Sequence, residues 1–401
     1  MHCVKKINDT LYWVGGTDRR LALFENVYPI PKGISYNAYV MIDEKTVLFD
    51  TVDQSVGSQF LENVKYILGG RSLDYMIVHH MEPDHCSMIN EIVKRYPDVE
   101  IICNIKTAEM IRQFFSFDID AKAVLVKEGD TFLVGKHNLT FLNAPMVHWP
   151  EVMVTYDLTD KILFSADVFG SFGSMNGNLF ADEVNFEHDW LDDARRYYTN
   201  IVGKYGPQAQ ELLKKASGLE ISMICPLHGL VWRENIEWFV DKYLKWTSYT
   251  PEKSSVLIIY GSIYEHTENM VNILASYLAD FGVRDIAVYD VSSIHPSYIL
   301  SEAFRRSHLV FASVTHNGGI FSNMEHLLLE LKAHNLQKRT VAVMDNGSWF
   351  SQAGKQMKDI FSEMKNVKIL EQSVSIKSIL KKEQMVEVEA LAHAIAKSVQ
   401  E

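Results

Sequence analysis

Along the first half of the chain, apolar residues gather in short runs separated by turn residues, the pattern that β-strands leave in a sequence. The plainest runs are 10–14, 35–43, 45–50, 75–79, 100–103, 139–142, 153–157 and 161–165. Between them, apolar positions at helical spacing predict helices over 56–68, 88–96 and 107–115. One longer helical segment is predicted over 189–216, and another over 234–245. Such alternation predicts mixed sheets with helices packed outside them.

Around 245–255 the pattern breaks into Trp-Thr-Ser-Tyr-Thr-Pro-Glu-Lys-Ser-Ser, which reads as a linker. Beyond it, strands and helices alternate strictly. Strands are predicted at 255–260, 285–290, 308–313, 340–344 and 367–370, with helices at 267–281, 298–305, 323–333, 352–362 and 382–398. Five such units predict an open, doubly wound parallel sheet with ligand loops at its carboxyl edge. The chain therefore divides into two α/β domains, residues 1–250 and 254–401.

Composition adds little to this and removes several alternatives. A chain of 401 residues, 47% hydrophobic and 22% charged, is an ordinary globular protein and long for one domain. Its N-terminus lacks the apolar core of a signal peptide, and no stretch approaches the ~18 apolar residues of a membrane span. The cytoplasm is the expected address. Cys3, Cys86, Cys103 and Cys225 include no Cys-x-x-Cys pair, which argues against a disulfide framework, a zinc ribbon or a rubredoxin-like iron site. The net charge is −12, and residues from Ser254 onward hold 14 basic and 16 acidic side chains, so most of the excess precedes them. An acidic chain without a dense basic patch is not expected to bind nucleic acid.

Candidate chemistry is concentrated at strand ends. The apolar run 75–78 leads into His79 and then His80-Met81-Glu82-Pro83-Asp84-His85. The run 161–166 ends on Asp167, and 219–227 ends on His228. With His148 these supply four histidines and three carboxylates, too many for one metal ion and about right for two sharing a bridge. Three strand ends converging on one face of a sheet form a rigid metal scaffold. Pro83 stiffens the turn. His79 alternates to the other face of its strand and is read as structural. Three carboxylates suit an ion cycling between charge states better than zinc, and oxygen with imidazole donors suit iron or manganese.

A second candidate site follows the first strand of the second half. Gly261-Ser-Ile-Tyr-Glu-His leads into Thr267, which opens an amphipathic helix. A hydroxyl-rich turn at a helix N-terminus can bind a monophosphate.

The arrangement His-x-Glu-x-Asp-His, a histidine 63 residues on, an aspartate 19 beyond and a histidine 61 further resembles the diiron signature of the flavodiiron proteins. The resemblance covers essentially the whole chain. It implies a metallo-β-lactamase-like αββα sandwich followed by a flavodoxin-like five-stranded domain, without a fused rubredoxin. It implies that His80, Glu82 and His148 bind one iron, that Asp84, His85 and His228 bind the other, and that Asp167 bridges them. It also implies FMN, held by Ser262, Ile263, Tyr264, Glu265, His266 and Thr267 at the phosphate. The ring would lie by Thr315, His316, Asn317, Gly318, Gly319 and Ile320, and by Gly347, Ser348, Trp349 and Phe350, with Trp349 or Phe350 placed to stack on it.

Flavodoxins carry Gly where this chain has Glu265, and a carboxylate is unwelcome beside a phosphate unless it turns outward. The activity implied is reduction of dioxygen to water, or of nitric oxide to nitrous oxide. The implied assembly is a head-to-tail homodimer, or a dimer of such dimers. A separate donor would supply electrons: a rubredoxin, a reduced deazaflavin coenzyme or a reductase. Two other readings compete with this one. A zinc hydrolase of the β-lactamase-like superfamily would place a His where Glu82 stands. A non-catalytic redox sensor would have no need of seven intact ligand positions. Trp149, Tyr197 and Tyr198 are candidates for the shell around the metals.

Overall fold

The computed structural model describes residues 2–401, and the chain separates into two compact units, residues 1–244 and 245–401. The boundary expected near 250–254 therefore falls earlier. The reason is local. The helix Ile236–Thr247 runs into the expected linker and the first strand of the second unit starts at Lys253. Between them Trp246 and Tyr249 are buried. Trp246 Nε1 donates to Glu252, and the Tyr249 carbonyl accepts from Arg339 at 2.6 Å.

The first unit is built on two sheets. In the seven-stranded sheet, Lys5–Lys6, Leu11–Trp13 and Tyr39–Ile42 pair antiparallel. Thr46–Phe49 pairs antiparallel with Tyr39–Ile42, and Tyr75–Ile77, Glu100–Cys103 and Ala123–Leu125 then follow it in parallel. The five-stranded sheet runs Thr131–Leu133, Asn138–Asn143, Met153–Asp157, Ile162–Phe164 and Met223–Cys225, antiparallel except for its last pair. The sheets face each other through side chains that alternation sends inward. Phe49 stacks on Phe164 with centroids 3.8 Å apart, and Tyr75 meets Phe132 edge-on at 4.9 Å. Helices Gly57–Leu68, Ile89–Arg95 and Ile105–Phe114 each bury an apolar stripe and leave a polar one exposed.

Two predicted elements are interrupted, and the first interruption serves the site. The run 35–43 is not one strand. Ile34–Tyr36 pairs with Gly16–Asp18, and Tyr39–Ile42 enters the large sheet. Asn37, fully buried at the break, donates to the carbonyls of Pro226 and Gly229 and accepts from Trp13 Nε1. That clamp fixes the loop carrying His228. The helical segment 189–216 is also broken, into Leu191–Tyr197, a wider π-type turn Tyr198–Val202, a short turn Gly203–Tyr205 and Gly206–Ala216. Pro207 has no N–H to continue a helix and instead sits in the first turn of a new one.

The second unit is a single parallel sheet in the order Ile286–Asp290, Lys253–Gly261, Arg306–His316, Thr340–Asn346, Lys368–Ile376. Its strands are apolar on both faces because helices cover both. Met270, Leu274 and Leu278 of one helix and Leu391 and Ile395 of another pack on Val256, Ile258, Val310 and Met344. Strand order reverses between the first and third strands, which is where such sheets open a crevice at their carboxyl ends.

Candidate metal centre and flavin cradle

All seven predicted donors come together, but not on one sheet as the sequence suggested. His80, Glu82, Asp84 and His85 follow the strand Tyr75–Ile77 of the seven-stranded sheet. Asp167 and His228 follow Ile162–Phe164 and Met223–Cys225 of the five-stranded sheet. The site bridges the carboxyl ends of two facing sheets, because the parallel strands of each end at the same edge of the sandwich.

The donors sort into two groups around one carboxylate. Glu82 Oε2 lies 3.2 Å from His80 Nε2 and 2.9 Å from His148 Nε2. Asp167 Oδ2 lies 3.4 and 3.2 Å from the same nitrogens. On the other side, Asp84 Oδ2 lies 3.3 Å from His85 Nε2 and 3.2 Å from His228 Nε2. Asp167 Oδ1 lies 3.3 and 3.8 Å from that pair. Each oxygen of Asp167 thus faces its own group.

These contacts fit metal ions better than hydrogen bonds. Both oxygens of Asp84 and of Asp167 are buried without a hydrogen-bond partner, although imidazole nitrogens lie close by. His85 Nε2 and His228 Nε2 are 3.0 Å apart, nitrogen facing nitrogen. Adjacent donors around an ion with bonds of about 2.1 Å lie roughly 3.0–3.4 Å apart. The donors converge on common interior points.

Residues behind the donors orient them. The buried carboxylate of Glu151 accepts from the Met81 N–H at 2.8 Å and from His80 Nδ1 at 2.9 Å, leaving Nε2 bare toward the cluster. The Ser35 carbonyl does the same for His228 Nδ1 at 2.8 Å. His79 points the other way, between Asp50 and Thr155, and holds the strand end in place. Trp149 meets His80 edge-on at 5.3 Å, and Tyr197 lies 5.3 Å from His228 with its buried hydroxyl unpartnered. Tyr198 packs away from the cluster, on Tyr243. Sequence reading missed Glu151 and Glu25. Glu151 follows the His148-Trp149-Pro150 turn and was legible only as a lone acid. Glu25 sits at the exposed tip of the Leu23–Phe24/Tyr28–Pro29 hairpin, whose Phe24 meets His228 edge-on. Its carboxyl nevertheless packs beside Glu82, and burial with that contact pushes its pKa up to about 8.

The electrostatics call for compensating positive charge. Burial would raise the Asp167 carboxyl, but His80, His148 and His85 hold it well below the usual range. Burial lowers the His148 imidazole, yet Asp167 and Glu82 outweigh it and push it up to about 9. Protons and metal ions compete for the same nitrogens.

In the second unit a cavity of about 580 Å³ opens at the carboxyl edge of the sheet. Ser262, Ile263, Tyr264, His266 and Thr267 line it from the first loop, and Thr315, His316, Asn317 and Gly318 from the third. Gly347, Ser348, Trp349 and Phe350 line it from the fourth. Glu265 does not. Its backbone is left-handed, with φ of 64°, which explains the glycine usual there, and its exposed side chain is outside the lining. Gly319–Ile320 instead folds back as a short strand on Thr315 and His316. Sequence reading missed Val314, Asn346 and Ser378. The last two are locked together by Ser378 N–H to Asn346 Oδ1 at 3.0 Å. Ser262 Oγ is buried without a partner beside the N-terminus of the fifteen-residue helix His266–Asp280, as a phosphate cradle requires. Trp349 and Tyr264 are 83% and 81% exposed, so Trp349 rests on no neighbouring loop.

A two-metal centre at the strand ends of a β-lactamase-like sandwich, joined to a flavodoxin-like sheet, defines the class. Residues 34–229 match the family described as ODP family beta lactamase. The anaerobic nitric oxide reductase flavorubredoxin of Vibrio vulnificus is 30% identical over 86% of this chain and 70% of its own length. Among solved structures, the rubredoxin oxygen:oxidoreductase of Desulfovibrio gigas superposes with a TM-score of 0.92 at 27% identity, covering 99% of both chains. A flavo di-iron protein variant from Thermotoga maritima superposes with a TM-score of 0.90 at 26% identity, covering 99% of this chain and 98% of that one. The chain belongs to the flavodiiron protein family. Membership carries the cofactor pair of the family's name, a flavin and two irons.

Two outcomes are expected. Replacing Glu151 by Gln weakens metal binding about 10–100-fold, because His80 loses its orienting carboxylate; metal titration of the purified variant measures it. Below the His148 pKa of about 9, each imidazole proton displaced lowers apparent affinity about tenfold per pH unit of acidification. Metal retention measured against chelator between pH 8 and 6 shows that loss.

Proposed function

We propose that the protein is an oxidoreductase that reduces dioxygen to water, nitric oxide to nitrous oxide, or both. The observation that carries this reading is the Asp167 carboxylate with one oxygen toward each group of donors. When bound, FMN and two irons would supply the reducing electrons, two from the flavin and two from the metal pair. The chain's own residues bind, orient and exclude water.

His80, Glu82 and His148 would hold one iron, and Asp84, His85 and His228 the other, with Asp167 between them. Ser262, Thr267 and the helix N-terminus would take the FMN phosphate, and Trp349, Tyr264 or Phe350 would cover the ring. Burial keeps the donors away from bulk water, which strengthens their hold on small charged centres. The names of the relatives divide between nitric oxide and oxygen, so both gases stay in the proposal. Glu82 between two imidazoles, where a zinc hydrolase of this fold would place a third, argues against hydrolysis.

We also propose a head-to-tail homodimer, or a dimer of such dimers, as the active assembly. Electrons would come from a separate donor, with rubredoxin first, followed by a reduced deazaflavin coenzyme or a reductase. Among the described residues no helix is long and apolar enough to cross a membrane.

The protein is to be reduced anaerobically and consumption of each gas followed, with iron and FMN counted on the same sample. Rapid loss of either gas, with two irons and one FMN per chain, is the expected result. Zinc in place of iron and loss of neither gas would overturn the reading. Asp167→Ala is expected to lose the metal pair and all gas consumption while keeping FMN. Two irons retained in that variant would defeat the bridging role.

A further inference from the structure

At the edge of the first unit opposite the seven-donor cluster, three more donors converge. His137 lies in the turn between the strands Thr131–Leu133 and Asn138–Asn143. Asp157 ends the strand Met153–Asp157, and Asp160 occupies the turn before Ile162–Phe164. That last strand carries Asp167 beyond its far end, so the two clusters lie at opposite ends of it. Donor atoms of His137, Asp157 and Asp160 all lie within 4.8 Å of one another. His137 is 3% and Asp157 0% exposed, while Asp160 faces solvent.

Two observations separate this cluster from an ordinary ion-pair network. Asp157 uses one oxygen to accept from the Thr159 N–H at 2.9 Å, but its Oδ2 is buried with no hydrogen-bond partner. A buried carboxylate oxygen left in that state is costly unless a cation meets it. Independently, the His137 ring is held as metal-binding imidazoles are held. Its Nδ1 lies 2.6 Å from Asp43 Oδ2, which also accepts from the backbone N–H groups of Lys136 and His137. Nε2 is thereby turned toward the cluster. It lies 3.4 Å from Asp160 Oδ2 and 3.3 Å from Thr10 Oγ1. Those distances are long for a charge-assisted hydrogen bond, and match the roughly 3.4 Å between donors around a tetrahedral ion with bonds of about 2.1 Å. Asp160 Oδ2 also accepts from Asn8 Nδ2 at 2.9 Å, which fixes its position.

We propose that His137, Asp157 and Asp160 hold one divalent cation of the zinc class, separate from the two-iron centre. A neutral imidazole with two carboxylates gives a net charge of about −2, which one such ion offsets, and Thr10 or water completes four-coordination. Its role is structural. Asp43, behind His137, lies in the turn between two strands of the seven-stranded sheet, while His137 and Asp160 lie in turns of the five-stranded sheet and Asp157 at the end of one of its strands. The ion therefore ties the two sheets together at the edge away from the redox metals.

The test uses the full-length protein, loaded with iron and FMN and dialysed against micromolar zinc, with zinc, iron and flavin counted together. One zinc per chain beyond the irons is expected, with a rise in Tm on the order of several °C. Asp160→Asn, at the solvent-facing ligand, is expected to weaken zinc binding at least about tenfold without changing iron or FMN content. His137→Ala is expected to abolish it; should that variant not fold, Asp160→Asn alone decides. No zinc in the wild-type protein beyond what replaces iron overturns the proposal. So does zinc bound equally by the wild type and Asp160→Asn.

Discussion

The Asp167 carboxylate is one group answering to two centres of charge. It is buried to 1% exposure between two facing sheets, with imidazoles on each side and no hydrogen bond to either of its oxygens. A carboxylate in that position is tolerable only if positive charge reaches both oxygens at once. The surrounding architecture meets this need. Parallel strands from each sheet end at the same edge, the His80–His85 turn supplies donors to both sides, and Asn37 ties down the loop that brings His228. Loosening any of these would leave charge buried without a partner.

The rear of the site follows the same logic at one remove. A histidine can bind a metal only through a nitrogen that carries no proton, and the partner of its other nitrogen decides which one that is. Glu151 makes the choice for His80, and the Ser35 carbonyl for His228. The Asp43–His137 pair repeats the device at the far edge of the same unit. In the second unit the orphaned hydroxyl of Ser262 and the N-terminus of a long helix offer an anion what the buried carboxylates offer a cation.

Much of this could be read from the residues. The strands at 100–103 and 153–157 appear where alternation puts them, and the helices of the second unit start within a few residues of their predicted ends. The seven donors were visible because strand ends bearing histidine and acid residues are uncommon, and their spacing matched a known signature. Two of the departures share one cause. The broken run at 35–43 and the divided segment at 189–216 are both apolar enough to continue. What stops them is a buried side chain, Asn37, whose partners are about 190 residues away, and a proline whose effect depends on neighbouring packing. Local pattern carries no information about such partners.

The short strands Gly16–Asp18, Leu23–Phe24, Tyr28–Pro29, Ala123–Leu125 and Thr131–Leu133 left no legible pattern. The sequence by itself indicated most of the longer strands and helices, the division into a sandwich and a parallel sheet, and the candidate metal donors. Those follow from periodicity and side-chain chemistry, which are local properties. Only the tertiary structure decided that the donors come from two sheets and that Asp167 divides its oxygens between them. It also placed Glu151, Glu25 and Ser378 beside the sites, turned Glu265 away from the cradle, and gathered His137 with Asp157 and Asp160. Each of these is a matter of distance between residues far apart in the chain, and distance is set by how the two sheets and their turns pack.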